Sequence, residues 1–182
     1  MYGYNTDAVG FRIAIEEAQT LAAMNEITLK TAVVYGYGGV LGTVVNVLQS
    51  MDIQVMVTGR RSEEAEIRAK AFGLPPYDRK PKDLFINATP VTNLTINELL
   101  AIKDFVEAIK GSRVAFDHTM PGLALEHLCN EKGILHIPGT RMYWPQMIAQ
   151  WKLFMAGHIA ADRIEGLLRE ADQLVAHPAP LD

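Results

Sequence analysis

Val33-Val34-Tyr35-Gly36-Tyr37-Gly38-Gly39-Val40-Leu41-Gly42 decides how this chain is read. An apolar run ends in Gly-x-Gly-Gly and passes straight into a segment of helical period, residues 39–50. In a strand-turn-helix of this kind the first glycine permits the tight turn. The second lets a pyrophosphate approach the backbone, and the helix N-terminus turns free N–H groups and its dipole toward negative charge. Leu41 stands where the G-x-G-x-x-G pattern has its third glycine, and Gly42 follows it. A glycine turn that binds no dinucleotide fits the same residues, so the flanking sequence must decide.

Outward from that turn, short apolar runs alternate with amphipathic stretches. Residues 31–35, 53–58, 83–88, 113–117 and 134–137 are mostly β-branched or aliphatic, as expected for strands covered on both faces of a parallel sheet. Helical period marks residues 39–50, 62–72 and 123–132, and more weakly 96–110. Strand and helix in alternation predict an α/β fold, a doubly wound parallel sheet of Rossmann type. Further helical tracts frame it at 7–24, 142–157 and 160–175, and His177-Pro178-Ala179-Pro180 closes the chain as a terminator. No repeat, linker or low-complexity block interrupts the sequence. It reads as one domain over 1–182: a leading helix in 1–25, the sheet and its crossover helices in 30–140, closing helices in 141–176.

The framing helices carry apolar faces that need cover. Val9, Ile13, Ala14, Leu21 and Met24 line the first, and Trp144, Met147, Ile148, Trp151 and Phe154 the last. They pack on each other, or on another domain or subunit, and the faces predict self-association.

Gly59-Arg60-Arg61-Ser62 follows the second strand, with Arg60 21 residues after Gly39. A site for NAD wants Asp or Glu here for the ribose 2′-hydroxyl, whereas arginine suits a 2′-phosphate through charge-assisted forked hydrogen bonds. Solvated pairing with Glu63 and Glu64 is the alternative for these two arginines. Joined to the glycine turn at this spacing, they point to NADP.

Composition bounds the rest. Of 182 residues 49% are hydrophobic and 21% charged, a globular balance with room for a sizeable core. Seventeen Lys plus Arg against 21 Asp plus Glu leave a net charge of −4, which argues against a nucleic-acid partner. Cys129 is the single cysteine, so neither an internal disulfide nor a cysteine metal cage can form. Histidines 118, 127, 136, 158 and 177 show no metal-ligand spacing. Residues 31–51 carry no charge and are long enough for a bilayer. Their four central glycines fit a strand, turn and helix instead, so no membrane partner is expected. Residues 1–7 lack a secretory apolar run, and a reducing, cytoplasmic setting is expected.

Taken singly, the remaining features are bland. Asn5-Thr6-Asp7 before a helix is an N-cap with acidic charge at the dipole's positive end, and Asn87-Ala88-Thr89-Pro90 after a strand is a turn. Taken in order, the motifs resemble one family, the shikimate dehydrogenases and their relatives. Gly3-Tyr4-Asn5-Thr6-Asp7 with Gly10-Phe11 is similar to the family's Asn-Thr-Asp signature. Gly36-Tyr37-Gly38-Gly39 is similar to its glycine loop, and Gly59-Arg60-Arg61 stands where it carries Asn-Arg-Thr. Asn87-Ala88-Thr89-Pro90 matches its Asn-Ala-Thr-Pro turn, and Gly139, Met142 and Gln146 match its closing motif.

In that family NADPH reduces the ketone of 3-dehydroshikimate to shikimate, reversibly. The resemblance implies that Gly36, Gly38, Gly39 and Val40 hold the pyrophosphate, while Arg60 and Arg61 clamp the 2′-phosphate. Ala88 and Thr89 line the cofactor path, and His118, Gly139 and Met142 neighbour the nicotinamide. Asp7 is half of a catalytic Lys–Asp pair, and Thr6 and Gln146 bond substrate hydroxyls. The developing alkoxide of such a reaction needs a proton donor in a small polar network.

The sequence also departs from the family. The family's substrate domain, with the catalytic lysine and the serines that hold the substrate carboxylate, precedes the Asn-Thr-Asp signature, and this sequence starts almost at it. None of its lysines falls in an equivalent motif. Thr92-Asn93 replaces the usual Gly-Met, the loop Asp117-His118-Thr119-Met120-Pro121 lacks the family's tyrosine, and Arg141 replaces a small residue. The expectation is therefore a cofactor-binding portion with little or no activity alone, its substrate domain absent or supplied by a partner. A dinucleotide-binding or interaction module without turnover is the alternative, and quinate or another shikimate-like compound the alternative substrate.

Overall fold

A computed structural model describes residues 3–120 and 122–176, so the closing His177-Pro178-Ala179-Pro180 lies outside the described residues. Five parallel strands make one sheet: β1 (Thr31–Tyr35), β2 (Gln54–Thr58), β3 (Leu84–Asn87), β4 (Val114–Asp117) and β5 (Leu135–Ile137). Their order is β2-β1-β3-β4-β5. The chain steps from β1 to one side, then crosses back to build the other. A switch point therefore opens between β1 and β3, where open α/β sheets bind ligands beyond the carboxyl ends of their strands.

Alternation along β1 sets the two layers. Ala32 and Val34 join one core with α1 (Thr6–Ala23) and α2 (Leu41–Ser50), through Phe11, Ala14, Ile15, Val44, Val45 and Leu48. Ala65 and Ala69 of α3 (Ser62–Ala71) complete that side. Val33 and Tyr35 face the opposite core, made by α4 (Ile96–Ala101), α5 (Lys103–Ile109) and α6 (Leu123–Lys132) with Leu99, Phe105, Leu125 and Leu128. Helices on both faces of a parallel sheet are the doubly wound α/β architecture expected from the sequence.

Two stretches differ from expectation. Residues 96–110 form two helices, not one, because Ile102 leaves helical geometry (φ −85°, ψ 87°) between them. Leu99 and Phe105 are both fully buried, and six residues apart they would stand about 120° apart around a continuous helix. The break lets both reach the core. Near the end, α7 (Thr140–Phe154) stops short of Gly157, which is left-handed at φ 82°, and α8 (Ile164–Ala176) starts four residues later than the pattern suggested.

The framing helices pack on each other. Gly10 of α1 is buried so closely under α7 that a Cβ there would stand 2.5 Å from the Met142 carbonyl oxygen and 2.8 Å from Gln146 Cβ. Arg141 pairs with Glu17 across the same contact at 3.3 Å. The outer faces stay open. Val9, Ile13, Trp151 and Phe154 are exposed, and a groove of about 490 Å³ runs between α1, α7 and α8, past Trp144 and Ile148.

Candidate functional site

The strands end in register. Tyr35 pairs with Asn87, and Asn87 with Asp117, so the last residues of β1, β3 and β4 form one row on the α4–α6 face. Asn87 and Asp117 are fully buried and bond each other, Asn87 Nδ2 donating to Asp117 Oδ1 at 2.8 Å. Asn87 Oδ1 accepts from the Thr89 amide at 3.1 Å and from its hydroxyl at 2.7 Å. Asp117 Oδ1 also accepts from the Thr119 amide at 2.9 Å, and the Thr119 hydroxyl donates to the Thr89 carbonyl at 3.0 Å. Asx turns at two adjacent strand ends thus lock two loops together. Both of these hydrogen bonds to the buried Asp117 carboxylate reach Oδ1, whereas Oδ2 has no hydrogen-bond partner among the described residues and abuts Gly122 at the amino end of α6, where the helix dipole favours negative charge.

Gly36 is the residue that the turn cannot replace. Its φ is +123°, and a Cβ there would meet Thr89 Cγ2 at 2.7 Å and the Ala88 carbonyl at 2.8 Å. A Cβ at Gly38 or Gly39 would meet nothing within 4 Å. The space over these two glycines is a cradle, at the start of a ten-residue helix whose first turn receives no side-chain cap. A diphosphate fits such a cradle, since unpaired helix N–H groups and the dipole both face it.

A cleft of about 430 Å³ continues from the cradle and is lined by Gly36, Gly38, Arg60, Ala88 and Thr89, with Tyr35 at its base. A second, more open cleft of about 330 Å³ shares Ala88 and Thr89 with it and adds Val40, His118, Thr119 and Met120. Together they cross the sheet at its switch point, an elongated path suited to a dinucleotide.

The two arginines part company. Arg61 forms an ion pair with Glu64 at 2.7 Å, and its pKa is raised, first by the Tyr37 hydroxyl and then by Glu64. For Arg61 the alternative weighed from the sequence, pairing on the following helix, is what the structure shows. Arg60 is exposed, lines the first cleft and makes no ion pair with Glu63 or Glu64.

At the far end of the path, His118 is half-buried between Phe11 and Phe116. Its ring stacks on Phe11 at 5.4 Å and 22°, and meets the edge of Phe116 at 4.8 Å and 88°. Nδ1 lies 3.0 Å from the Asn87 carbonyl oxygen, so this nitrogen carries the proton of the neutral ring. Burial pulls the His118 pKa down, against the opposing pull of the Asn87 carbonyl, Asp117 and Asp7. Asp7, in the first turn of α1, accepts from Gln146 Nε2 of α7. Asn5 caps α1 at the Ala8 amide and reaches Thr43 of α2 at 3.0 Å. The signature at the start of the chain is thereby tied to the glycine turn.

Thr6, Asp7, Gly39, Arg61, Gly139, Met142 and Gln146 line neither cleft. Gly139 has a packing reason of its own, as its Cβ would stand 2.7 Å from the Asp117 carbonyl. Asp117 and Thr119 escaped the sequence reading as site residues, and Asn87 was read only as a turn. One signal was available, a polar residue closing an apolar strand run. Among the described residues no cluster of His, Cys, Asp or Glu is placed to hold a metal, and no helix is long and apolar enough to cross a membrane.

A parallel sheet in this order, with a glycine cradle at its switch point, defines a Rossmann-type dinucleotide-binding fold. No family model matches the chain. Its sequence is 32% identical over 103 residues to the shikimate dehydrogenase (NADP(+)) of Methanocaldococcus jannaschii, covering 49% of this chain and 34% of that one. It thus spans about a third of the curated relative's length. Solved structures repeat the fold across the chain. Shikimate dehydrogenase from Aquifex aeolicus aligns at TM-score 0.63 and 23% identity, over 92% of this chain and 62% of its own. The Thermus thermophilus shikimate 5-dehydrogenase, in complex with NADP(H) and shikimate, gives 0.62 and 24%, over 93% and 63%. A quinate dehydrogenase from Corynebacterium glutamicum, in complex with NAD, gives 0.58 and 22%, over 92% and 63%. The resemblance carried by the sequence motifs is borne out: the chain is similar to part of a shikimate dehydrogenase.

Proposed function

We propose that these residues form the NADP-binding portion of a shikimate dehydrogenase-type oxidoreductase. The observation that carries this reading is the open cradle over Gly38 and Gly39, continuous with a cleft that presents Arg60. Gly36, Gly38, Gly39 and Val40 receive the pyrophosphate, and Arg60 engages the 2′-phosphate, with Arg61 contributing if it leaves Glu64. Ala88 and Thr89 flank the path, and His118, Gly139 and Met142 border its nicotinamide end. NADPH, when bound, supplies the hydride that reduces a ketone to an alcohol. Asp7 and Gln146, joined by their hydrogen bond, face the substrate side with Thr6.

The solved relatives are half as long again as this chain, and the exposed apolar groove of α1, α7 and α8 supports a complementary substrate-binding part on that face. It supplies the lysine and the carboxylate anchors, from the same polypeptide or another. Turnover by these 182 residues alone is therefore slow, and the setting is a reducing, cytoplasmic one. The same groove favours, as second reading, a dinucleotide-binding interaction module. The quinate dehydrogenase fold neighbour keeps a quinate-like substrate in view.

Calorimetric titration with NADP⁺ and NAD⁺ tests the first reading. NADP⁺ binds more tightly, and Arg60→Ala erases roughly tenfold to 100-fold of that preference, the worth of charge-assisted hydrogen bonds. Binding of neither nucleotide overturns it. Binding unaccompanied by hydride transfer, even when the lysine-bearing portion is added, selects the second.

A further inference from the structure

We propose that Tyr37 and Arg68 read the 2′-phosphate of the dinucleotide, the phenol hydroxyl donating to it and the guanidinium meeting it from α3. The inference rests on the reading of the clefts as a dinucleotide path, and it names what selects NADP over NAD there.

Tyr37 stands between the first two glycines of the turn and is half-buried. Its ring lies against Gly59, the first residue after β2 and 20 residues after Gly39. A Cβ on Gly59 would stand 2.8 Å from the ring, so the space of a side chain at that position is already taken. A site for NAD places an Asp or Glu carboxylate about there, to accept from the ribose 2′-hydroxyl. Here a phenol stands in place of that acceptor. Arg61 donates toward the Tyr37 oxygen, and no group among the described residues accepts the phenol proton. A free O–H donor suits the oxygens of an ionised phosphate, which only accept.

Arg68 approaches through another cleft, of about 360 Å³, lined by Tyr37, Gly38, Gly39, Gly42, Arg68 and Phe72. Tyr37 also lines the cleft that presents Arg60, so this one residue borders the clefts of both arginines. Glu64 and Glu66 of α3 are committed elsewhere, to Arg61 at 2.7 Å and to Lys70 at 3.0 Å. Arg60 and Arg68 make no ion pair among the described residues. Two unpaired guanidinium groups and one hydroxyl donor therefore gather beside a cradle shaped for a diphosphate. That arrangement fits a second phosphate near the end of β2, held by charge-assisted hydrogen bonds.

Adenosine 2′,5′-bisphosphate and AMP differ only in the 2′-phosphate, and calorimetry with both on the whole chain tests the assignment. The wild type binds the bisphosphate more tightly. Tyr37→Phe keeps the ring against Gly59 and removes only the hydroxyl, so its denaturation midpoint stays where it was. It binds AMP within about twofold of the wild type but loses roughly tenfold of the preference, the worth of one hydrogen bond to a charged group. Arg68→Ala, at an exposed position, does the same. ³¹P spectra give a readout that a purely structural role would not move. Bound 2′-phosphate loses its second proton at lower pH than the free group, because these donors favour the dianion, and each variant shifts that midpoint back toward the free value. A preference kept in either variant, or an affinity lost equally for both probes, overturns the proposal. If Arg60→Ala still erases the preference in that case, the NADP reading stands without it. A wild type that binds neither probe overturns the dinucleotide reading as well.

Discussion

Gln146 donates its side-chain amide proton to the Asp7 carboxylate across 139 positions of sequence, joining α7 to the first turn of α1. The bond forms because α1 and α7 approach almost to backbone contact, and that approach hangs on Gly10. Gly10→Ala places a methyl carbon 2.5 Å from the Met142 carbonyl, where backbone must yield. We expect a loss of about 1–3 kcal/mol in urea denaturation, the range for overpacking. The His118 resonances should shift with it, as Asp7 is carried away.

The glycine turn separates folding from binding. Gly36→Ala is strained at φ +123° and meets Thr89 and Ala88, so it costs about 2–4 kcal/mol. Gly38→Ala meets nothing and should leave the denaturation midpoint almost unchanged. Its methyl stands where the pyrophosphate approaches, however, and NADP⁺ affinity should fall at least about tenfold.

Arg60 and Arg61 are unequal. Arg61→Ala breaks a solvent-exposed pair with Glu64 and should change NADP⁺ affinity by no more than about threefold, the scale of exposed ion pairs. Equal losses from Arg60→Ala and Arg61→Ala in calorimetry would show that Arg61 leaves Glu64 when the nucleotide binds.

Acid destabilises this fold partly through two histidines. Burial pulls the pKa of His118 and of His136 below the ordinary 6.5. Between the folded values and 6.5 the unfolded chain binds more protons than the folded one, so stability falls as the pH drops through that window. Each group can contribute up to about 1.4 kcal/mol per pH unit. Chemical denaturation at about pH 7 and about pH 5 should give a shallower acid-side loss in His118→Asn and in His136→Asn. An unchanged loss in both variants contradicts this origin.

Cys129 is fully buried, and burial raises its thiol pKa to about 12. A thiol reagent should leave it untouched in the native protein and label it promptly in denaturant. Labelling at the native rate of a free thiol would mean that α6 opens locally.

Much of this fold was legible because its signals are local. Every strand of β1–β5 lies inside an apolar run visible in the sequence, and the Gly36 turn announces itself by residue type. The split at Ile102 was not legible, because it serves the burial of both Leu99 and Phe105 and no local signal marks it. The polar row of Asn87 and Asp117 was hidden for a similar reason. Their partnership depends on the register of β3 against β4, 30 residues apart, and no local pattern encodes register in strands buried on both faces.

The amino-acid sequence by itself determined the doubly wound α/β class, the place of the glycine cradle and the basic residues after β2. Periodicity and glycine stereochemistry act over a few neighbouring residues, so they can be read directly. Tertiary structure alone decided which arginine is committed to Glu64 and which tautomer His118 holds. It decided too that Asp7 meets Gln146. These outcomes depend on distance and dielectric between groups far apart in the chain, and those quantities exist only once the helices have packed on the sheet.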